Sequence, residues 1–259
     1  MARSDRPEAS CDATATARTY AALNLPSGTS TATVTSLTSS AVSVSNSGVR
    51  HHLFAPIVGI SSTAIRTHAT VVWGSPTGGT AMLPLAFSLC EWKAQTGGGM
   101  PSGTTERTIS LTKSSASATD CTGPSGNIVP GGFGWLTADS GTCHTTSTIT
   151  GVLHSDPGNS VPSSCTASDL TASLNRTVLL PIFDQFAGTG SSATYRIYGY
   201  AAFVVTGYHF GGQNNYNDPC NGNNRCIKGY FARFVDLSEA FEFGAGAPQL
   251  GSSIIKMTE

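Results

Sequence analysis

YRIYGYAAFVVTGYHF (195–210) is the stretch whose reading decides the fold. Side chains of a strand alternate between two faces. Here Tyr195, Ile197, Ala201, Phe203 and Val205 fall on one side, and Arg196, Tyr198, Tyr200, Val204 and Tyr208 on the other. The stretch therefore reads as one long strand. IKGYFARFVDL (227–237) reads as its antiparallel partner, joined to it by the polar loop GGQNNYNDPCNGNNRC (211–226).

Further out, TVLLPIFD (177–184) reads as a buried strand, and LPLAFSLCEW (83–92) as a buried apolar run ending near Cys90. ERTISLTK (106–113) alternates more weakly, FGWL (133–136) is a short apolar anchor, and SSIIKMT (252–258) suits an edge strand. SDLTASLN (168–175) predicts a two-turn helix with Ser168 as its N-cap. Between these lie turn-rich connections at 94–105, 114–132 and 153–166.

The first 74 residues read as a separate unit. CDATATARTYAAL (11–23) predicts a short helix, stopped by Pro26 and Gly28. Residues 31–37 and 41–46 alternate as strands do. Val49, Leu53, Phe54 and Ile57 share one helical face, with Gly59 as the stop. STAIRTHATVVWG (62–74) then reads as a strand, and Gly74 to Gly79 mark a break. The expected architecture is α+β and β-dominated: a small N-terminal helix–strand unit, 1–74, followed by a disulfide-stapled antiparallel β domain, 75–259.

Composition supports this. Charged residues make up 11% of the 259, with 29 Gly and 13 Pro. A helical protein would want more Glu, Lys and Leu on its wet and dry faces than this chain carries, whereas Thr and Val suit strands. The net charge is −1 and no basic patch is gathered, so nucleic-acid binding has no electrostatic footing. Residues 1–10, MARSDRPEAS, contain no apolar h-region, and no run of 18 apolar residues occurs.

Seven cysteines, Cys11, Cys90, Cys121, Cys143, Cys165, Cys220 and Cys226, contain no C-x-x-C pair, and the six histidines lack metal-ligand spacing. The pattern reads as a disulfide framework formed outside the cytoplasm. Spacing alone leaves the pairing open. Cys220 with Cys226 is the first expectation, because that pair clips the tip of the 211–226 loop. Cys121 with Cys143, clamping the segment around FGWL, comes second, and Cys90 with Cys165 follows by elimination.

No catalytic constellation stands out. His154, Ser155 and Asp156 are too nearly adjacent to adopt triad geometry. They read as the start of an Asp-Pro-Gly turn. Glu91, Asp184 and Asp236 lie at the ends of apolar runs, where a glycosidase would place acids but where charged residues also regain water. In QNNYNDPCNGNN (213–224), Asp218 is the single carboxylate among amide oxygens that would suit calcium, the one cofactor these residues suggest, and EF-hand spacing is absent. Tyr198, Tyr200 and Tyr208 share a face that is either a binding platform or a cover for the sheet.

From Thr70 to Leu237 the strings TVVWGSPTGGTAMLPLAFSLCEW, CTGPSGNIVPGGFGWL, SDPGNSVPSSC, VLLPIFD, YGYAAFVVTGY and CIKGYFARFV occur in an order that resembles the extracytoplasmic region of actinobacterial TadE/TadG-like proteins. FAPIVGISSTAIRTHATVVWG resembles the helix–strand unit that follows their membrane anchor. The resemblance implies a pilin-like N-terminal unit and a non-enzymatic role in Flp-type (tight-adherence) pili. It implies other pilus or cell-envelope proteins as partners and a location in the envelope or outside the cell. Members carry an N-terminal transmembrane helix that this chain lacks, so the expectation is a membrane-anchored parent. A secreted hydrolase and a free-standing adhesin or ligand-binding domain are the rival classes.

Overall fold

The computed structural model describes residues 12–24, 29–112, 120–156, 160–189 and 192–258. The described chain is β-dominated and divides into two compact units. One comprises the residues up to Gly74 together with Ile255 onward, and the other Ser75–Ile254. Among the described residues, no helix is long and apolar enough to cross a membrane.

The first unit holds α1 (Ala13–Asn24), β1 (Thr29–Leu37), β2 (Ala41–His51) and β3 (Ser62–Gly74). Asp12 starts α1 by accepting the Thr14 amide at 2.9 Å. The three strands are antiparallel in the order β1-β2-β3, and β2 and β3 pair without interruption from Ala41↔Val72 to His51↔Ser62. Near the C-terminus, the Thr258 amide donates to the Thr70 carbonyl at 2.9 Å. The helix expected over Val49–Ile57 does not form. Val49 continues β2, and helical geometry is confined to a 3-10 turn, Ala55–Val58, with Pro56 in its first positions. The apolar spacing mimicked a helical face, but Pro56 lacks the amide that a helix interior would need. Gly59 does end the turn, at φ 85°.

The second unit runs through β4 (Pro76–Ala81), β5 (Leu85–Ser88), α2 (Leu89–Thr96), β6 (Arg107–Ser110), β7 (Cys121–Thr122), β8 (Ile128–Val129), β9 (Phe133–Trp135), β10 (Thr145–Thr148) and β11 (Val152–His154). It continues with α3 (Ala167–Ala172), β12 (Thr177–Ala187), β13 (Thr194–Gly211), β14 (Asn214–Tyr216), β15 (Cys226–Ala232), β16 (Phe234–Asp236), β17 (Phe241–Phe243) and β18 (Ser252–Met257). β13 organises the main sheet, whose order is β6-β15-β13-β12-β5-β9 with β11 and β14 added along β13. Its partners β12 and β15 are antiparallel to it, and β12 meets β5 in parallel. A second sheet, β10-β4-β17, lies over the middle of β13.

Both faces of the main sheet are covered. On one, Phe87, Phe203 and Phe231 pack with ring centroids 4.6–5.4 Å apart, and Trp135 meets Phe210 at 4.8 Å. Gly229 is required there, because a Cβ would sit 1.9 Å from the Val204 carbonyl oxygen. On the other face, Phe183 and Tyr195 pack at 4.8 Å beside Ala86, Cys90, Val129 and Leu136.

The break expected at 74–79 coincides with the division of the units at Gly74 and Ser75, and its residues from Pro76 open β4. Gly79, at φ 154°, is needed because β17 approaches so closely that a Cβ would lie 2.4 Å from the Ala240 carbonyl. α3 is capped by Thr166 rather than Ser168: the Thr166 hydroxyl accepts the Asp169 amide, and the Asp169 carboxylate accepts the Thr166 amide at 2.7 Å. This reciprocal pair is a capping box, and it holds the Asp169 carboxyl below its ordinary pKa. The 211–226 stretch also contains a strand, β14, which extends the sheet along the end of β13.

Candidate functional site

Six cysteines form three bridges: Cys90–Cys121, Cys143–Cys165 and Cys220–Cys226. The last closes the loop between β14 and β15. The other two overturn the expected Cys121–Cys143 and Cys90–Cys165 pairings. The reason is topological: β9 enters the main sheet between Cys121 and Cys143 and carries the chain away. Cys121 begins the β7–β8 hairpin, which lies beside α2. Lys93 of that helix donates to the Thr122 carbonyl at 2.9 Å, and Cys90 sits in its first turn. Cys143 precedes β10, and Cys165 precedes the cap of α3. Cys11 lies outside the described residues.

The three carboxylates at apolar ends do not share a cleft chemistry, because each is engaged by its own partners. Asp184 is fully buried and grips Arg196, whose Nε donates at 2.9 Å while its terminal nitrogen donates to the second oxygen. Glu91 is buried in the first turn of α2, accepts the Gly132 amide at 2.8 Å and lies 3.7 Å from Arg107. Asp236 accepts the Ser238 amide and hydroxyl at 2.9 and 2.8 Å.

The neighbouring trio is held chiefly through its backbone. The Ser155 hydroxyl donates to the Asp156 carbonyl at 3.0 Å, and the Asp156 amide donates to the Trp135 carbonyl at 3.0 Å. Partial burial raises the Asp156 carboxyl above its ordinary pKa. His154 lies in β11, its carbonyl accepting the Thr137 amide. Asp218 meets His209 Nδ1 at 2.6 Å, a contact that occupies one of its oxygens. Among the described residues, no group of three or more His, Cys, Asp and Glu side chains is placed to hold a metal ion.

Of the two readings of the tyrosine face, the cover for the sheet is the one the burial supports. Tyr200 is fully buried and Tyr208 is 5% exposed, while Tyr198 is partly buried. The Tyr200 hydroxyl donates to the Ser147 carbonyl at 2.6 Å and its ring meets Phe241 edge-on at 5.4 Å, joining β13 to β10 and β17. Burial pushes the Tyr200 phenol up to about 12. Two strands of the second sheet that covers this face are built from TGGT and TTST, strings too polar to announce themselves as core, and the third is the short FEF of β17.

Two open concavities meet at Thr177, at the start of β12. One, of about 460 Å³, is lined by Pro101–Thr104, Val204, Tyr230 and Arg233. The other, of about 340 Å³, has an apolar floor of Met82, Val178, Leu179, Phe234 and Phe241, with His144 and Asp236 at its rim. Arg233 Nε is tied to the Pro101 carbonyl at 3.2 Å. No protein-family model matches the chain, and no curated protein or solved structure matches it. The residues lining the two grooves present apolar area and hydroxyl groups to a partner.

Proposed function

We propose that the chain is an exported, non-enzymatic cell-envelope protein that acts through surface contacts, as a component or assembly factor of Flp-type pili. The observation that carries this reading is the set of three disulfides in the second unit, since such bonds form and persist in oxidising compartments. The resemblance to TadE/TadG-like proteins supports the pilus assignment. The helix-then-antiparallel-sheet order of the first unit supports a pilin-like reading of it. The shallow grooves at Thr177 suit an extended segment of a neighbouring envelope protein better than an enclosed small ligand.

Deleting the gene and counting surface pili by electron microscopy tests the role. Loss or shortening of pili, restored by the wild-type gene, is expected. An unchanged pilus count would refute it.

A further inference from the structure

The β2–β3 hairpin ends in LFAPIVGI (53–60), and its large apolar side chains face outward: Leu53 is 91% exposed, Phe54 80%, Ile57 86%, Val58 75% and Ile60 53%. Such a concentration of uncovered apolar area marks an interaction site. The strand behind it is bare too, with every residue of β3 from Ser62 to His68 exposed.

Two features of the tip select its partner. First, much of its backbone pairs within the tip. The Ile57 amide donates to Phe54, Gly59 to Pro56, Ile60 to Ala55 and His52 to Ser61, while Pro56 has no amide to satisfy. Such pairing within the segment lowers the cost of moving it toward hydrocarbon. Second, charge near the tip has one sign. No Asp or Glu occurs between Asp12 and Glu91, whereas Arg50 and Arg66 lie exposed on the two strands below the tip. Arg50 is three residues from Leu53, or about 10 Å at strand rise. That distance matches the depth to which interfacial elements sink into the headgroup–acyl boundary.

We propose that residues 53–60 insert into one leaflet of an anionic bilayer, with Arg50 pairing with lipid phosphates and Arg66, opposite Ser47 and about 10 Å further from the tip, adding longer-range attraction to the anionic surface. The inference is independent of the pilus reading, because it rests on the hairpin alone.

Flotation of the full, disulfide-intact chain with vesicles of phosphatidylcholine plus phosphatidylglycerol, against phosphatidylcholine alone, tests it. The wild type is expected to float with the anionic vesicles. Leu53→Asp with Ile57→Asp should weaken partitioning by about tenfold or more. Arg50→Gln should reduce the anionic preference by about fivefold, and adding Arg66→Gln should reduce it further by a smaller factor. In Phe54→Trp, the new indole emission should shift to the blue on vesicle addition and be quenched by brominated acyl chains. Circular dichroism establishes that each variant is folded. Failure of the wild type to float, or flotation of the folded double-Asp variant at wild-type level, would overturn the proposal. So would a double-Asp variant that instead dissociates a dimer on size exclusion, because the tip would then dock on a second copy.

Discussion

Asp184, with no exposed surface, is held by both its oxygens to Arg196, whose side chain remains 30% exposed. A β-bulge makes the meeting possible: Phe183 pairs with Ile197 and Gln185 with Arg196, so Asp184 is the extra residue on its strand. The Asn127 amide donates to the Asp184 carbonyl at 2.9 Å and pins the β7–β8 hairpin over the same spot.

The pair should respond asymmetrically to mutation. Arg196→Ala strands a buried carboxylate and is expected to cost about 3–5 kcal/mol. Asp184→Asn leaves an arginine that reaches water and keeps an acceptor for it, so its cost should be about 1–2 kcal/mol. Urea denaturation of the two variants measures the difference. Equal losses would contradict the assignment of Asp184 as the buried partner.

Alkaline stability should break late and steeply. Burial pushes the Tyr195 and Tyr200 phenols from 10.0 up to about 12. The folded state therefore holds these protons more tightly than the unfolded chain does. Their contribution is complete below pH 10 and is lost as pH rises toward 12, at about 3 kcal/mol per ring. Phenolate absorbance should show two of the seven tyrosines titrating only with loss of structure. Titration of all of them near pH 10 in the folded state would count against the packing described.

These two rings also mark where sequence reading stopped. The length of β13 was legible, as were β3, β12 and the β13–β15 pairing, but register shifts at Tyr198 and Thr206 break the alternation, and Tyr195 packs on the face opposite Phe203. That the Tyr200 face of β13 is interior was not legible, because two strands of its cover, β4 and β10, are Thr- and Gly-rich and the third, β17, is only three residues long. Disulfide pairing failed for a related reason. Nearness in sequence served for Cys220 and Cys226, six residues apart. For Cys90 and Cys121, 31 apart, only the placement of α2 beside a two-stranded hairpin brings the sulfurs together. The apolar 53–60 string was legible as apolar, yet its helical spacing concealed that it caps a hairpin.

Gln95 stands in for a missing strand. Its side-chain amide donates to the Phe231 carbonyl at 3.0 Å and accepts the Phe231 amide at 2.9 Å. Gln95→Ala leaves two backbone groups of a buried residue unpaired, and a loss of about 2–4 kcal/mol is expected. Hydrogen exchange at the Phe231 amide should accelerate in step. A neutral substitution with unchanged exchange would show that water replaces the contact.

Gly229 tests the sheet-to-ring packing. Gly229→Ala forces a methyl onto the Val204 carbonyl and the Phe203 ring, and a loss of about 3 kcal/mol or more is expected. Gly99→Ala is the control, since its Cβ would meet only ordinary contact at 3.6 Å. Thermal melts of the two variants give the comparison, and similar melting temperatures would contradict the close approach.

Three cross-links hold the second unit, and the proposal that the protein is exported rests on their being formed in the native cell. On the chain-entropy account, loops of 31 and 22 residues stabilise by roughly 3–4 kcal/mol each and the loop of 6 by about 2 kcal/mol. Non-reducing peptide mapping by mass spectrometry, on protein taken from the native cells and alkylated at lysis, tests this most directly. The peptides are expected to be joined as Cys90–Cys121, Cys143–Cys165 and Cys220–Cys226. Alkylated, unbridged thiols at these six positions would contradict the account.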